Sequence, residues 1–465
     1  MKKLFLLSLA LVLATFNLFS TIKNVPSGYS TIQAAITASV NGDTILVAPG
    51  TYMENINFRG KNIVLTSTFY INNDPAMIIG TIINGSTPVN ADTGSCVIIS
   101  NHEDSTTVLQ GFSITGGSGT KWNDEHFAGV YREGGGLLVQ YSSPVIKNNF
   151  IYDNIVTNVS GVNSTGGGGV RIGDSYVRFY NNVVMNNTAH YGAGVVLNYT
   201  GGEYKNNVIC ANYGSNQFGS GSGMWLNNTF NRPCIITNNT ISGNSSTAGF
   251  CGVYGGSFAS LRNNIIWGNT SPSNTQVSTS MNIIYSNIQG GSYPGSGNMS
   301  QNPLFADSNY VLQSGSPCID KGDSSVIYND IADPNNGTLA LYPSRGGLRN
   351  DMGAYGGPLA RLLSNGLIGI PNIGTHTPVN YALYQNYPNP FNPNTKITFD
   401  IPKSEFTKLI VYDVLGKETA IILNEFTQAG RYTVDFSAST LSSGIYFYTL
   451  QSGNIVLTKK MVLTK

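Results

Sequence analysis

Charged side chains are scarce in this chain of 465 residues. Asp, Glu, Lys and Arg together make up 11% of it, against about 25% in ordinary soluble proteins. The net charge is +1, and no basic run or RNA-binding aromatic signature occurs. Nucleic acid and anionic membrane are therefore excluded as favoured partners. The five cysteines (Cys96, Cys210, Cys234, Cys251 and Cys318) show no CxxC spacing, which argues against a thiolate metal site. Their odd number leaves at least one unpaired in any disulfide scheme, and the preferred reading is small buried residues. Carboxylates are almost missing from the centre: between residues 142 and 306 only Asp153, Asp174 and Glu203 occur. That is too few for a calcium cage, and it leaves the paired acid and base of glycoside hydrolysis hard to find. Zinc spacings and a Ser-His-Asp pattern are absent as well, so neither a metal nor a cofactor is expected.

Long apolar runs are also missing, except at the start. Lys2 and Lys3 precede an apolar run over residues 4–13, with small residues near Ser20. This reads as a secretory signal over residues 1–22, the alternative being a buried N-terminal helix. The run is too short to be a convincing spanning helix.

What is abundant is glycine, 54 residues, together with a recurring phrase. Asn148-Asn149-Phe150-Ile151-Tyr152-Asp153-Asn154 returns as Asn181-Asn182-Val183-Val184-Met185-Asn186 and as Asn206-Asn207-Val208-Ile209. It returns again as Asn238-Asn239-Thr240-Ile241-Ser242-Gly243-Asn244 and as Asn263-Asn264-Ile265-Ile266-Trp267-Gly268-Asn269. Short strands repeating every ~25–33 residues mean a solenoid. Asn and Gly tolerate the left-handed backbone of a tight turn. An inward Asn amide, stacked on its equivalent ~4.8 Å away, satisfies both its donor and its acceptor. Glycine clusters at 134–136, 166–169, 192–194 and 221–223 precede the next strand, where small residues permit close stacking. Ser30-Thr31-Ile32-Gln33 fits a capping box opening a short amphipathic helix over 31–38, which would cover the first open end of the stack. Residues 44–47 read as a strand, 48–52 as a turn, and 55–58 and 62–66 as further strands of the first coils. Gly111 occupies the Asn position of an earlier coil.

This pattern resembles the right-handed parallel β-helix proteins of the pectate-lyase-like superfamily. The resemblance spans residues 25–357, and its terminal coil would carry Asn302-Pro303-Leu304-Phe305, Gly315-Ser316-Pro317-Cys318-Ile319-Asp320 and Asp351-Met352-Gly353-Ala354-Tyr355. Such a fold hosts many activities. The resemblance implies polysaccharide as a substrate class, with calcium as a cofactor were the chain a lyase. After a linker at 358–383, residues 384–465 open with Tyr387-Pro388-Asn389-Pro390-Phe391-Asn392-Pro393. Six or seven short strands then suggest a small antiparallel β-sandwich. The opening motif, the Gly444-Ile445-Tyr446 strand and the basic end Lys459-Lys460 resemble the C-terminal sorting domain of the type IX secretion system of Gram-negative bacteria; a generic immunoglobulin-like module is the alternative. The resemblance implies the secretion machinery as a partner and a secreted or outer-surface location. The expected fold class is thus all-β: a right-handed parallel β-helix with a short capping helix, then a β-sandwich.

Aligning the glycine clusters gives a face map, because strand side chains alternate. Leu137 and Val139, Val170 and Ile172, Val195 and Leu197, and Met224 and Leu226 point inward. Between them Leu138, Arg171, Val196 and Trp225 point outward in a column, with Tyr254 as a looser continuation. Long insertions emerge along one edge and carry Trp122, Tyr131, Arg132, His190 and Tyr191. Aromatic faces beside amides and charges suit sugar rings, so these residues with Arg171, Trp225 and Tyr254 are the expected glycan contacts; the alternative is that the aromatics pin their own loops. For catalysis the best constellation is Asp124, Glu125 and His126 with Arg171, set against a plain solvated loop. The leading reading is polysaccharide engagement with little or no catalysis. A polysaccharide lyase or glycoside hydrolase, and a structural or adhesive surface protein, are the alternatives.

Overall fold

The computed structural model describes residues 20–464, apart from 125, 216–217, 228–231, 248, 257–258, 279–280, 307–308, 362–379, 403–404, 428–429 and 440. The expected leader lies almost wholly outside the described residues, although the first strand, Ile22–Val25, starts within its expected limit. Most of the expected linker lies outside them too.

Three parallel sheets of ten, nine and seven strands run the length of the stack. A complete coil contributes one strand to each sheet, as in Val145–Lys147, Phe150–Tyr152 and Val170–Gly173. Parallel strands joined through such crossovers coil right-handed, so the chain is a right-handed parallel β-helix. Its interior is a continuous apolar column that includes Leu137, Val139, Val170, Ile172, Val195, Leu197, Met224 and Leu226.

The paired asparagines divide the work. The first of each pair (Asn148, Asn181, Asn206, Asn238 and Asn263) takes the left-handed turn, with φ between 51° and 57°. The second forms a buried ladder, Asn149–Asn182–Asn207–Asn239–Asn264, in which each Nδ2 donates to the next Oδ1 at 2.9–3.2 Å. A parallel ladder, Asn154–Asn187–Asn212–Asn244–Asn269, closes the other turn at 2.8–3.0 Å. Buried amides are thereby satisfied without charge. Gly111 does the turn work of the missing first Asn, with φ 84°. Gly136, Gly169, Gly194 and Gly223 form a row in which a Cβ would come within 2.5–2.7 Å of a carbonyl of the next coil. This contact accounts for the glycine in every repeat.

The N-terminal helix is Ile32–Ala38, capped by Thr31, whose Oγ1 accepts from the Ala34 amide at 3.0 Å. The expected Ser30–Gln33 capping box is not realised, the cap falling one residue later at Thr31. Gln33 reaches across to Asn57 instead of back to its own turn, and Glu54 takes the Ile32 and Gln33 amides at 2.9 Å each. The stretch expected as a turn at 48–52 contains a strand, Gly50–Tyr52, which pairs with Thr81–Asn84. The closing segment is more than a terminal coil. It folds back along the second sheet, setting Val311, Ala354 and Tyr355 against Phe150, Tyr152, Val183 and Val208. Asn206 and Asn238 donate to its backbone. This cover satisfies an apolar outward face that water would otherwise meet.

The C-terminal module has a three-stranded and a four-stranded antiparallel sheet around its own core of Phe391, Ile397, Phe399, Leu409, Val411 and Tyr448. It begins with Ala382–Leu383, which pairs with Asn394–Ile401, inside the expected linker. The opening motif is stitched to the last strand: Asn389 accepts from the Val462 amide at 2.9 Å, and Phe391, buried, exchanges backbone bonds with Val462 and Thr464. Tyr446, also buried, donates to the Ser442 carbonyl, while Tyr387 is exposed. Gly444 and Pro388 lie at the ends of these paired segments, and Pro390 stands between Asn389 and Phe391 in the stitch.

Candidate functional site

The register of the third sheet aligns Leu138, Arg171, Val196, Trp225 and Tyr254 in one row. The row is not uniformly open. Insertions from the edge fold into a side sheet made of Gly119–Asn123, Val130–Glu133 and Ser164–Gly166, with Thr93–Gly94. The row is buried along its first part: Leu138 and Arg171, in coils that feed the side sheet, and Val196, one coil further, are 6%, 0% and 0% exposed. Trp225 and Tyr254, further along, remain half-buried.

Arg171 is accordingly an internal group, unlike its expected role as a surface contact. Its guanidinium lies 4.0 Å from the Trp122 ring. Its Nε donates to Glu133 at 3.1 Å and its Nη1 donates to Gln140. Glu133 also accepts from Trp122 Nε1 at 2.9 Å and from the Tyr191 hydroxyl. A buried cation needs such a set of partners, since an unpaired one is very costly. Arg132 is likewise buried, paired with Asp92 at 3.1 Å and donating to the carbonyls of Ala91 and Gly119. The charge scarcity of the sequence has its counterpart here: these cations hold the side sheet together.

At the edge of this network lies a partly enclosed cavity of about 210 Å³. Its aromatic wall comprises Tyr131, Tyr191, Tyr199, Phe218 and Trp225; its polar wall comprises Asp124, Glu133, Asn198 and Asn227. Tyr191 packs edge-on to Trp225 and to Phe218, with ring centroids at 5.0 and 5.1 Å. Trp225 Nε1 donates to the Phe218 carbonyl at 2.8 Å, and Asn227 donates to Asn198 at 3.0 Å. Asp124 accepts from the His126 amide at 2.9 Å and so shapes its loop. Burial, and then the charges of Glu133 and Asp124, push the Tyr131 hydroxyl above its ordinary pKa. Burial and Glu133 do the same, more strongly, to Tyr191. Both hydroxyls therefore stay protonated and serve as donors.

Of the expected residues, Asp124, Tyr131, Tyr191 and Trp225 come together in the cavity wall. Trp122, Arg132 and Arg171 stand behind it. His126 stacks on Tyr199 at 3.7 Å and contacts Asp174 at 3.2 Å, so its partner is a carboxylate that the spacing of 124–126 did not suggest. Glu125 lies outside the described residues. His190 is half-buried, its amide bonded to Thr165, and Tyr254 packs on Phe250 at 5.0 Å; neither lines the cavity. Tyr199, Asn198 and Asn227 were missed. The last two follow the inward Leu197 and Leu226 in register, a position that the alternation could have marked.

Among the described residues no group of three or more His, Cys, Asp or Glu could hold a metal ion. All five cysteines are buried and free, and burial pushes the Cys96, Cys210 and Cys318 thiols up to about 12. No described helix is long and apolar enough to cross a membrane.

No curated protein matches the chain. In solved structures it is similar to the pectin methylesterase from carrot, at 12% identity over 62% of this chain and 90% of that one, with a TM-score of 0.37. A pectin methylesterase mutant in complex with a hexasaccharide matches at 10% identity over 58% and 78%, with a TM-score of 0.29. The family described as "Secretion system C-terminal sorting domain" matches residues 385–464. The stitched Asn389–Phe391 opening and the final strand lie within that match. The chain is thus a parallel β-helix that carries a secretion-system C-terminal sorting domain, the mark of a secreted or cell-surface protein.

Proposed function

We propose that this exported β-helix engages extracellular polysaccharide, and that the contact is the cavity beside Trp225. The observation that carries this reading is the cavity wall itself. Tyr131, Tyr191, Phe218 and Trp225 offer ring faces and edges, while Asn198 and Asn227 offer amides. Aromatic rings suit the apolar faces of a sugar, and amides suit its hydroxyl edges. A volume of about 210 Å³ is below the usual range for drug-sized ligands, which fits one sugar unit gripped on a longer chain. Binding is favoured over turnover because Glu133 is held by Trp122, Arg171 and Tyr191, which leaves Asp124, bonded to its own loop through Oδ1, without a second carboxylate to work with. A hydrolytic reading is favoured by one observation, the His126–Asp174 pair at 3.2 Å.

Affinity electrophoresis of the full chain against a polysaccharide panel tests the reading. Binding is expected to weaken at least about tenfold in Trp225→Ala, the scale of losing an aromatic contact and its buried area. Unchanged binding in that variant would remove the cavity from the account. New reducing ends or unsaturated products, abolished in Asp174→Asn, would make the chain an enzyme. Export has its own test: without residues 387–465 the protein is expected to stay in the periplasm, and normal release of that truncation would contradict the role given to the tail.

A further inference from the structure

We infer that the cavity selects uncharged sugar units and rejects uronic or sulfated ones; this deepens the glycan-binding reading and rests on it. Every formal charge in the cavity wall is negative, namely Asp124 and Glu133. The nearby cations are turned to other work. Arg171 is held by Glu133 and Gln140 behind the wall, and Arg132 by Asp92 and two carbonyls. Arg232 donates to the Tyr199 carbonyl, and His126 contacts Asp174. The charge of Glu133 is largely offset by Arg171, whereas the carboxylate of Asp124 accepts from the backbone amides of His126 and Ala128. Asp124 is only 4% exposed, so a charge approaching it meets little screening water.

Such a wall is rich in acceptors. A sugar hydroxyl can donate to an amide oxygen or to the Asp124 carboxylate, and the latter bond is charge-assisted. A carboxylate or sulfate on the sugar meets no Lys or Arg among the described residues that line the cavity and is repelled by Asp124. The same wall excludes by repulsion and attracts by hydrogen bonding, which is how specificity between related ligands usually arises.

The experiment titrates the full chain at low salt with length-matched neutral hexose or pentose oligosaccharides and with oligogalacturonides, reading heat and tryptophan fluorescence. The neutral series is expected to bind, with the galacturonides at least about tenfold weaker, as like-charge contact costs at interfaces. Asp124→Asn keeps the Oδ1 acceptor for its loop and is expected to narrow that gap. Asn227→Lys, which puts a cation into the wall and leaves Asp124 in place, is expected to narrow it independently if the first variant fails to fold. Galacturonide binding equal to or tighter than neutral binding would overturn the selectivity and leave glycan binding standing. A gap unchanged in both variants would also overturn it. Binding of neither series would overturn the selectivity and the glycan-binding reading together.

Discussion

Leu138, Arg171 and Val196 stand in the same row as Trp225 and Tyr254, one coil apart at each step, yet the first three are sealed and the last two half-open. The difference does not come from the strands, which are equivalent. It comes from the insertions. The long ones at 117–133 and 156–166 contribute strands to the side sheet, which sets Trp122 against Arg171; among the described residues the later insertions add no strand to it and cover Trp225 only in part, through Tyr191 and Phe218. A solenoid strand sets where a side chain points; the neighbouring insertion decides whether that direction meets protein or water. In the covered half the arginine became a structural pin. In the open half the tryptophan borders a cavity.

The largest effect is expected from breaking the covered half. Glu133→Ala removes the acceptor of Arg171, Trp122 and Tyr191 and leaves a buried cation, at a cost of about 3–5 kcal/mol; urea denaturation would read it. Gly173→Ala is expected to be milder, about 1–3 kcal/mol, because its Cβ would press on the Arg171 guanidinium, which can shift. Little change in melting temperature in either variant would mean that the network does not secure the side sheet. Trp225→Ala should cost less stability than Glu133→Ala while losing glycan binding. A reversal of that order would erase the distinction between pin and contact.

A pH-dependent effect sharpens a parallel contrast, between the amide ladders and the closing segment. The ladders bury polar groups without charge. The closing segment buries Asp330 and Asp351, whose carboxyls are raised from an ordinary 3.8 to about 8 and about 7. Burial is the main cause for both, and the charge of Asp351 adds to it at Asp330. Between pH 4 and 8 the folded state thus holds more protons than the unfolded chain, so stability falls as pH rises through that window. Thermal melts should show this decline, and Asp330→Asn should flatten it; a decline of equal slope in the variant would place its origin elsewhere.

Much of this was legible in the sequence. The Asn pairs marked both the left-handed turns and the amide ladders, and the glycine clusters marked the row where coils approach closest, because each is repeated at every coil. The inward and outward positions of the third sheet followed from alternation. What repetition does not encode was harder to read. Gln33 looked like a capping residue, but Glu54 from a later coil met those amides. His126 pairs with Asp174, 48 residues away, and Tyr199 sits under it with no pattern to flag it. The cover over Arg171 depends on how 117–133 folds back, which has no period. The tail motif was legible as a whole, although its first strand, Ala382–Leu383, precedes the motif and carries no signal of its own.

The claim that the open half of the row is a sugar contact meets its most direct test in tryptophan fluorescence during a neutral-oligosaccharide titration. Trp225 lines the cavity and Trp122 is stacked on Arg171 behind it. A saturable change in wild type that disappears in Trp225→Phe but persists in Trp122→Phe would support the account. A change that follows Trp122, or none at all while the glycan still binds, would contradict it.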